Sequence, residues 1–100
     1  MHRRIKASTA NLHLVDNEPM LLNYYILIST GYKTDDKTPI RIYGCEVEPE
    51  YPDSDREPEV KSFAGIFQSR REIEEFVEKL RDGHVTPCTL YDLVYDYISR

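Results

Sequence analysis

The sequence predicts an α+β domain: a three-stranded antiparallel β-meander with a C-terminal two-helix hairpin packed on one face, in the order βββαα. Three observations carry that prediction. Runs rich in Tyr, Ile, Val and Leu with strand-like parity precede residue 68, and two stretches after it repeat apolar residues at helical spacing. Between those two stretches stands the break Gly83-His84-Val85-Thr86-Pro87. Each apolar stripe needs a partner surface, and laying both helices on one sheet is the economical solution. A chain of 100 residues has room for one such core.

Taken in order, residues 1–20 are expected to form a partly mobile N-terminal arm. Arg3, Arg4 and Lys6 begin it, and Asp16-Asn17-Glu18-Pro19 ends it with a turn signal. Residues 21–100 make the single domain. Leu21 to Thr30 carries apolar residues on both parities, with Leu22, Tyr24, Ile26 and Ile28 on one and Tyr25 and Leu27 on the other, the mark of a central strand. Gly31 to Pro39 reads as a polar hairpin loop. The second strand, Ile40 to Glu48, moves its apolar residues from one parity (Ile40, Ile42) to the other (Tyr43, Cys45, Val47). Gly44 stands at the change, where a bulge or twist would sit.

An acidic, Pro-rich loop follows at 48–59. Seven acids fall between Glu46 and Glu59 against Arg56 alone, and Pro49, Pro52 and Pro58 forbid a regular element. The third strand, Val60 to Phe67, places Phe63 and Phe67 on one face. Ser69 and Glu72 then spell a capping box, in which hydroxyl and carboxylate each satisfy an orphaned amide. Ile73, Phe76, Val77 and Leu80 form the stripe of the first helix, and Gly83 suits a left-handed position after its end. The second helix starts at Thr86 or Thr89 and carries Leu90, Leu93, Val94, Tyr97 and Ile98 as its inner stripe.

Composition excludes several functions. A net charge of -5 opposes nonspecific nucleic-acid binding, which needs Lys and Arg to displace counterions. The apolar runs fall far short of the roughly 20 residues that span a bilayer, and Ala7-Ser8-Thr9-Ala10-Asn11 gives no apolar core to a leader, so the expected location is cytoplasmic. Cys45 and Cys88 form no C-x-x-C pair and are expected as reduced thiols. Gly31, Gly44, Gly65 and Gly83 are too scattered for a phosphate cradle. A helix-turn-helix outline is present, but its second helix would turn Tyr91, Asp92, Tyr95 and Asp96 toward DNA and be repelled.

That same arc is the expected docking face. Asp96 near a helix C-terminus opposes the macrodipole, so folding alone does not ask for it. Tyr91 and Tyr95, four apart, stand beside Asp92 and Asp96, and tyrosine is a frequent interface anchor. A second expected surface is the acidic strip Glu48, Glu50, Asp53, Asp55 and Glu57, which could imitate nucleic-acid phosphates. A Cys88–His84 pair could ionise a thiol, but no third orienting group accompanies it, and His2 and His13 have no companion.

Tyr43-Gly44-Cys45-Glu46-Val47, the strand reaching Ile66, Arg71-Glu72-Ile73-Glu74-Glu75-Phe76-Val77 and Pro87-Cys88-Thr89-Leu90-Tyr91-Asp92-Leu93-Val94-Tyr95-Asp96-Tyr97-Ile98 together resemble the small bacterial domain-of-unknown-function family 6514. The resemblance spans residues 21–98, and implies an origin among Gram-positive anaerobes and gut bacteria. Against that family the chain shows a longer N-terminal arm and the Pro-rich acidic insert. The resemblance supports the fold and carries no activity over.

The reading is therefore a non-enzymatic, small acidic protein-interaction module or regulator, with a basic-surfaced protein as partner and no cofactor, metal, nucleic acid or membrane. The alternative is a phage-type anti-defence inhibitor of a nucleic-acid enzyme working by acidic phosphate mimicry. A thiol enzyme using Cys88 and His84 is the third. Oligomeric state is not written in the sequence.

Overall fold

The computed structural model describes residues 3–13, 19–32, 35, 37–52, 54–55 and 57–99. Its elements are β1 (Arg3–His13), β2 (Pro19–Tyr32), β3 (Pro39–Glu50), β4 (Lys61–Phe67), α1 (Arg70–Asp82) and α2 (Pro87–Ile98). The strands lie in the order β1-β2-β3-β4, every neighbouring pair antiparallel. The sheet thus has four strands rather than three, because residues 3–13, expected as part of an arm, pair with β2 from Arg3↔Ile28 to His13↔Pro19. The turn expected at Asp16-Asn17-Glu18 lies outside the described residues.

Strand β2 is central, as its double parity predicted. Met20, Leu22, Tyr24, Ile26 and Ile28 are buried beneath the helices, while Asn23 and Ser29 are buried on the opposite face. Across from them β3 supplies Tyr43, Cys45, Val47 and Pro49 to the same core. Pairing between β2 and β3 is unbroken from Leu21↔Glu50 to Tyr32↔Pro39, so β3 itself does not bulge at Gly44. The irregularity belongs to β4. Tyr43 faces Phe67 and Cys45 faces Phe63, which leaves Ala64, Gly65 and Ile66 opposite Gly44 alone. The backbone of β4 crosses so closely that a Cβ on Gly44 would lie 2.0 Å from the Phe63 carbonyl oxygen, and Gly65 takes φ +71°.

Strand β3 also runs further than expected. Pro49 and Glu50 belong to it as well as Glu48, so the acidic connection begins after Glu50. Pro49 is tolerated because β4 ends its pairing at Val47↔Lys61, leaving β3 an edge beyond that point where a missing N–H does no harm.

Helix α1 starts as predicted, with the Ser69 hydroxyl accepting from the Glu72 N–H at 3.3 Å. The carboxylate half of the expected box is absent, because Glu72 instead accepts from the Tyr97 hydroxyl at 3.3 Å. At its other end the helix closes on His84 rather than Gly83. Val85 N–H donates to the Leu80 carbonyl at 3.0 Å and His84 N–H to that of Arg81 at 3.1 Å, the paired bonds of a Schellman motif. His84 takes the left-handed position at φ 50°, while Gly83 has φ −88°. Val85 is thereby turned into the core, where its carbonyl accepts from the Tyr24 hydroxyl at 3.0 Å.

Both helices lie on one sheet face. Helix α1 touches all four strands, whereas α2 reaches only β3 and β4. They meet through Tyr97, whose ring stands 4.9 Å from Phe67 and 5.5 Å from Phe76. Sitting at the rim, α2 buries Pro87, Leu90 and Val94 but leaves Leu93 41% and Ile98 56% exposed. The inner stripe expected for α2 is therefore narrower than its spacing suggested.

Candidate functional site

Helix α2 opens on Thr86, with Pro87 in its first turn. The Thr89 hydroxyl donates to the Thr86 carbonyl at 3.1 Å, which ties the first turn locally. Burial of Leu90 and Val94 then fixes the rotation of the helix, and with it the outer arc. Tyr91 and Tyr95 are each 59% exposed, their rings 6.1 Å apart and nearly parallel at 16°. Phe63 of β4 approaches Tyr91 to 6.0 Å and extends the row from helix to strand. Asp92 and Asp96 are exposed on the same arc. All four expected residues are exposed on α2, Tyr91 on its β4 side and Asp96 on the side that faces α1.

Phe63 was not foreseen as part of this row, because its contact spans residues far apart in sequence. Nor was the groove of about 290 Å³ between the helices, lined by Phe76, Leu80, Val85, Leu93 and Tyr97 with Lys79 and Asp96 among its polar residues. Only the splaying of α1 and α2 creates it.

The acidic strip is not brought together as one surface. Glu48 and Glu50 lie on the open face of β3 with Glu46, two residues apart each. Asp55 and Glu57 are exposed in the following connection, and Asp53 lies outside the described residues. Arg4 of β1 binds both Glu46 and Glu48, the latter at 3.2 Å, and its guanidinium stacks 3.5 Å above the Tyr25 ring. The Tyr25 hydroxyl donates to Glu48 at 3.2 Å. Burial, followed by the charge of Glu48, holds the Tyr25 pKa above its ordinary value. Asn23 donates to Glu50 at 3.5 Å and accepts from Thr9 at 3.0 Å. The even spacing of Glu46, Glu48 and Glu50 was the readable signal of this ladder; its partner Arg4 was hidden in the supposed arm.

Cys45 is fully buried, and burial pushes its thiol up to about 12, so it stays protonated. Cys88 is exposed beside a cleft of about 220 Å³ lined by Met20, Pro49, Tyr51, Glu59, Thr86 and Pro87, where no described imidazole stands. Among the described residues no hydrogen bond joins His84 to Cys88, and no three His, Cys, Asp or Glu cluster as metal ligands. His2 and the side chain of His13 lie outside the described residues.

Fold and surface together define a two-layer α+β domain with an aromatic, acidic helix flank at the sheet rim. The chain belongs to the Family of unknown function (DUF6514), whose model matches residues 3–100. The match extends over β1 and runs across the acidic connection. No curated protein and no solved structure matches the chain. None of the described helices is long and apolar enough to cross a membrane.

Proposed function

We propose that the chain is a non-enzymatic interaction module or regulator that docks a basic-surfaced protein through the outer arc of α2. The observation that carries this is the exposed stack of Tyr91 on Tyr95, held from the strand side by Phe63 and flanked by Asp92 and Asp96. Stacked rings of this kind present large area at little entropic cost, and such anchors dominate interface energies. The helix Pro87–Ile98 contains no Lys, Arg or His, so its field favours a cationic partner. A cytoplasmic setting, where both free thiols would stay reduced, fits this reading.

The test uses the full chain as bait and an isolated partner for titration. Tyr91→Ala with Tyr95→Ala is expected to weaken the partner at least tenfold, and Asp92→Lys with Asp96→Lys to slow its association. Undiminished affinity in both variants would remove the docking face.

The acidic-mimic reading rests on one observation, the row of Glu46, Glu48 and Glu50 along the open face. Arg4 offsets part of that charge, which makes it the weaker reading. Reversing Glu50, Asp55 and Glu57 to Lys distinguishes the two, since it should abolish capture by a basic groove and leave α2 docking unchanged.

A further inference from the structure

We propose that Arg3, Thr30 and Arg41 form a binding site for a single phosphoryl group, presented by a phosphate monoester, at the end of the sheet where β1 begins. The juxtaposition follows from register. Arg3 faces Ile28 and Arg41 faces Thr30, and cross-strand partners share a face, as do residues two apart in a strand. Arg3, Ile28, Thr30 and Arg41 accordingly line one cavity of about 160 Å³.

The two arginines differ from the rest. Among the described residues Arg4 is paired with Glu46 and Glu48, Arg70 with Glu74, Arg71 with Glu75 and Arg81 with Asp82, whereas Arg3 and Arg41 have no carboxylate partner. In a chain with 18 acids and 13 basic residues, two unpaired guanidinium groups on one small cavity are not what stability selects, because like charges repel. An anion between them reverses the sign of that interaction.

The donor set specifies which anion. A carboxylate offers two oxygens and is satisfied by one guanidinium fork. A phosphoryl group offers three terminal oxygens, enough for two forks and the Thr30 hydroxyl together. The cavity is smaller than the roughly 300 Å³ at which pockets begin to enclose whole small ligands. It therefore holds the phosphoryl group and leaves the rest of the ligand outside. The net charge of -5 meanwhile disfavours a nucleic-acid chain, which needs many cationic contacts rather than two. A small phosphate ester and a phosphorylated side chain share the required chemistry.

The experiment is an NMR titration of the ¹⁵N-labelled full chain with inorganic phosphate, against sodium chloride at equal ionic strength. It follows the Thr30 amide and the Arg3 and Arg41 side-chain Nε signals. Saturable shifts are expected in phosphate alone, tighter at pH 7.5 than at pH 5 because inorganic phosphate is largely the dianion at the higher pH and the monoanion at the lower. Arg3→Gln and Arg41→Gln should each weaken binding at least tenfold, and Arg41→Lys, which keeps the charge but loses the fork, should fall between. Both side chains are exposed, so the variants keep the fold, and the remaining amide signals verify it. Glycerol phosphate and a phosphoserine peptide, run as separate arms, identify the source by which binds more tightly. Shifts that chloride reproduces, or that survive both Gln substitutions, overturn the site. The Tyr91→Ala, Tyr95→Ala variant should bind phosphate normally, which keeps this site independent of the α2 face.

Discussion

Tyr24 is the residue that joins the two layers. It is fully buried at the centre of β2, and its hydroxyl donates at 3.0 Å to the carbonyl of Val85, the residue that follows the left-handed His84. Tyr24→Phe leaves that carbonyl without this donor and is expected to cost about 1–2 kcal/mol at neutral pH in urea unfolding. Burial also raises the Tyr24 pKa from 10.0 to about 12. Between those values the unfolded chain loses its proton first, so it binds fewer protons than the folded one and stability falls as pH rises. Phe has no proton to lose. The gap between the two proteins should therefore narrow by about 1 kcal/mol near pH 11. A gap that is constant from pH 8 to pH 11 would contradict the buried, protonated hydroxyl. Cys45, at about 12 from a reference of 9.0, adds an alkaline loss of the same sign to both proteins and cancels in the comparison.

At the scale of elements, what could and could not be read follows from whether a segment keeps one period. Helix α1 was legible because Ile73, Phe76, Val77 and Leu80 recur without interruption and all four are buried. Strand β1 was not, because its register shifts between Lys6 and Ser8, leaving Ala7 as an extra residue. Ile5 packs toward the core on one parity and Ala10 on the other, so no alternation survives in the sequence. The same cause hid the arrangement at Gly44, whose parity change reflects β4 crossing over it rather than a bulge in β3. The exposure of Tyr91, Asp92, Tyr95 and Asp96 on α2 was legible, since helical spacing alone sets them off the buried stripe. The phosphoryl cavity was not, since Arg3, Thr30 and Arg41 meet only through register. If Ala7 is merely the bulged residue, deleting it restores regular pairing without moving any other partner. The deletion variant should then stay within about 1 kcal/mol of the parent in urea unfolding. A loss of several kcal/mol would show that the bulge itself is required, with the cavity of about 340 Å³ beside it between β1 and α1 as the first place to look.

For the molecule as a whole, stability is unevenly spread. Strands β2 and β3 are each paired on both sides and hold Leu22, Tyr24, Cys45 and Val47 at full burial. Helix α1 spans all four strands, while α2 lies over two of them, buries a narrow stripe, and ends with Tyr95 and Ile98 exposed. Local opening follows the density of buried contacts, so amide exchange should be slowest in β2 and β3, faster in α1, and fastest among the helices in the last turn of α2. The element with the least to lose is thus the one carrying the exposed aromatic row. A partner seated on Tyr91 and Tyr95 would order α2 and raise its protection selectively, with β2 and β3 unchanged. Hydrogen exchange read by mass spectrometry, with and without the isolated partner, measures this directly. Protection that appears on β1 or the open sheet face, and not on α2, would move the interface away from the closing helix.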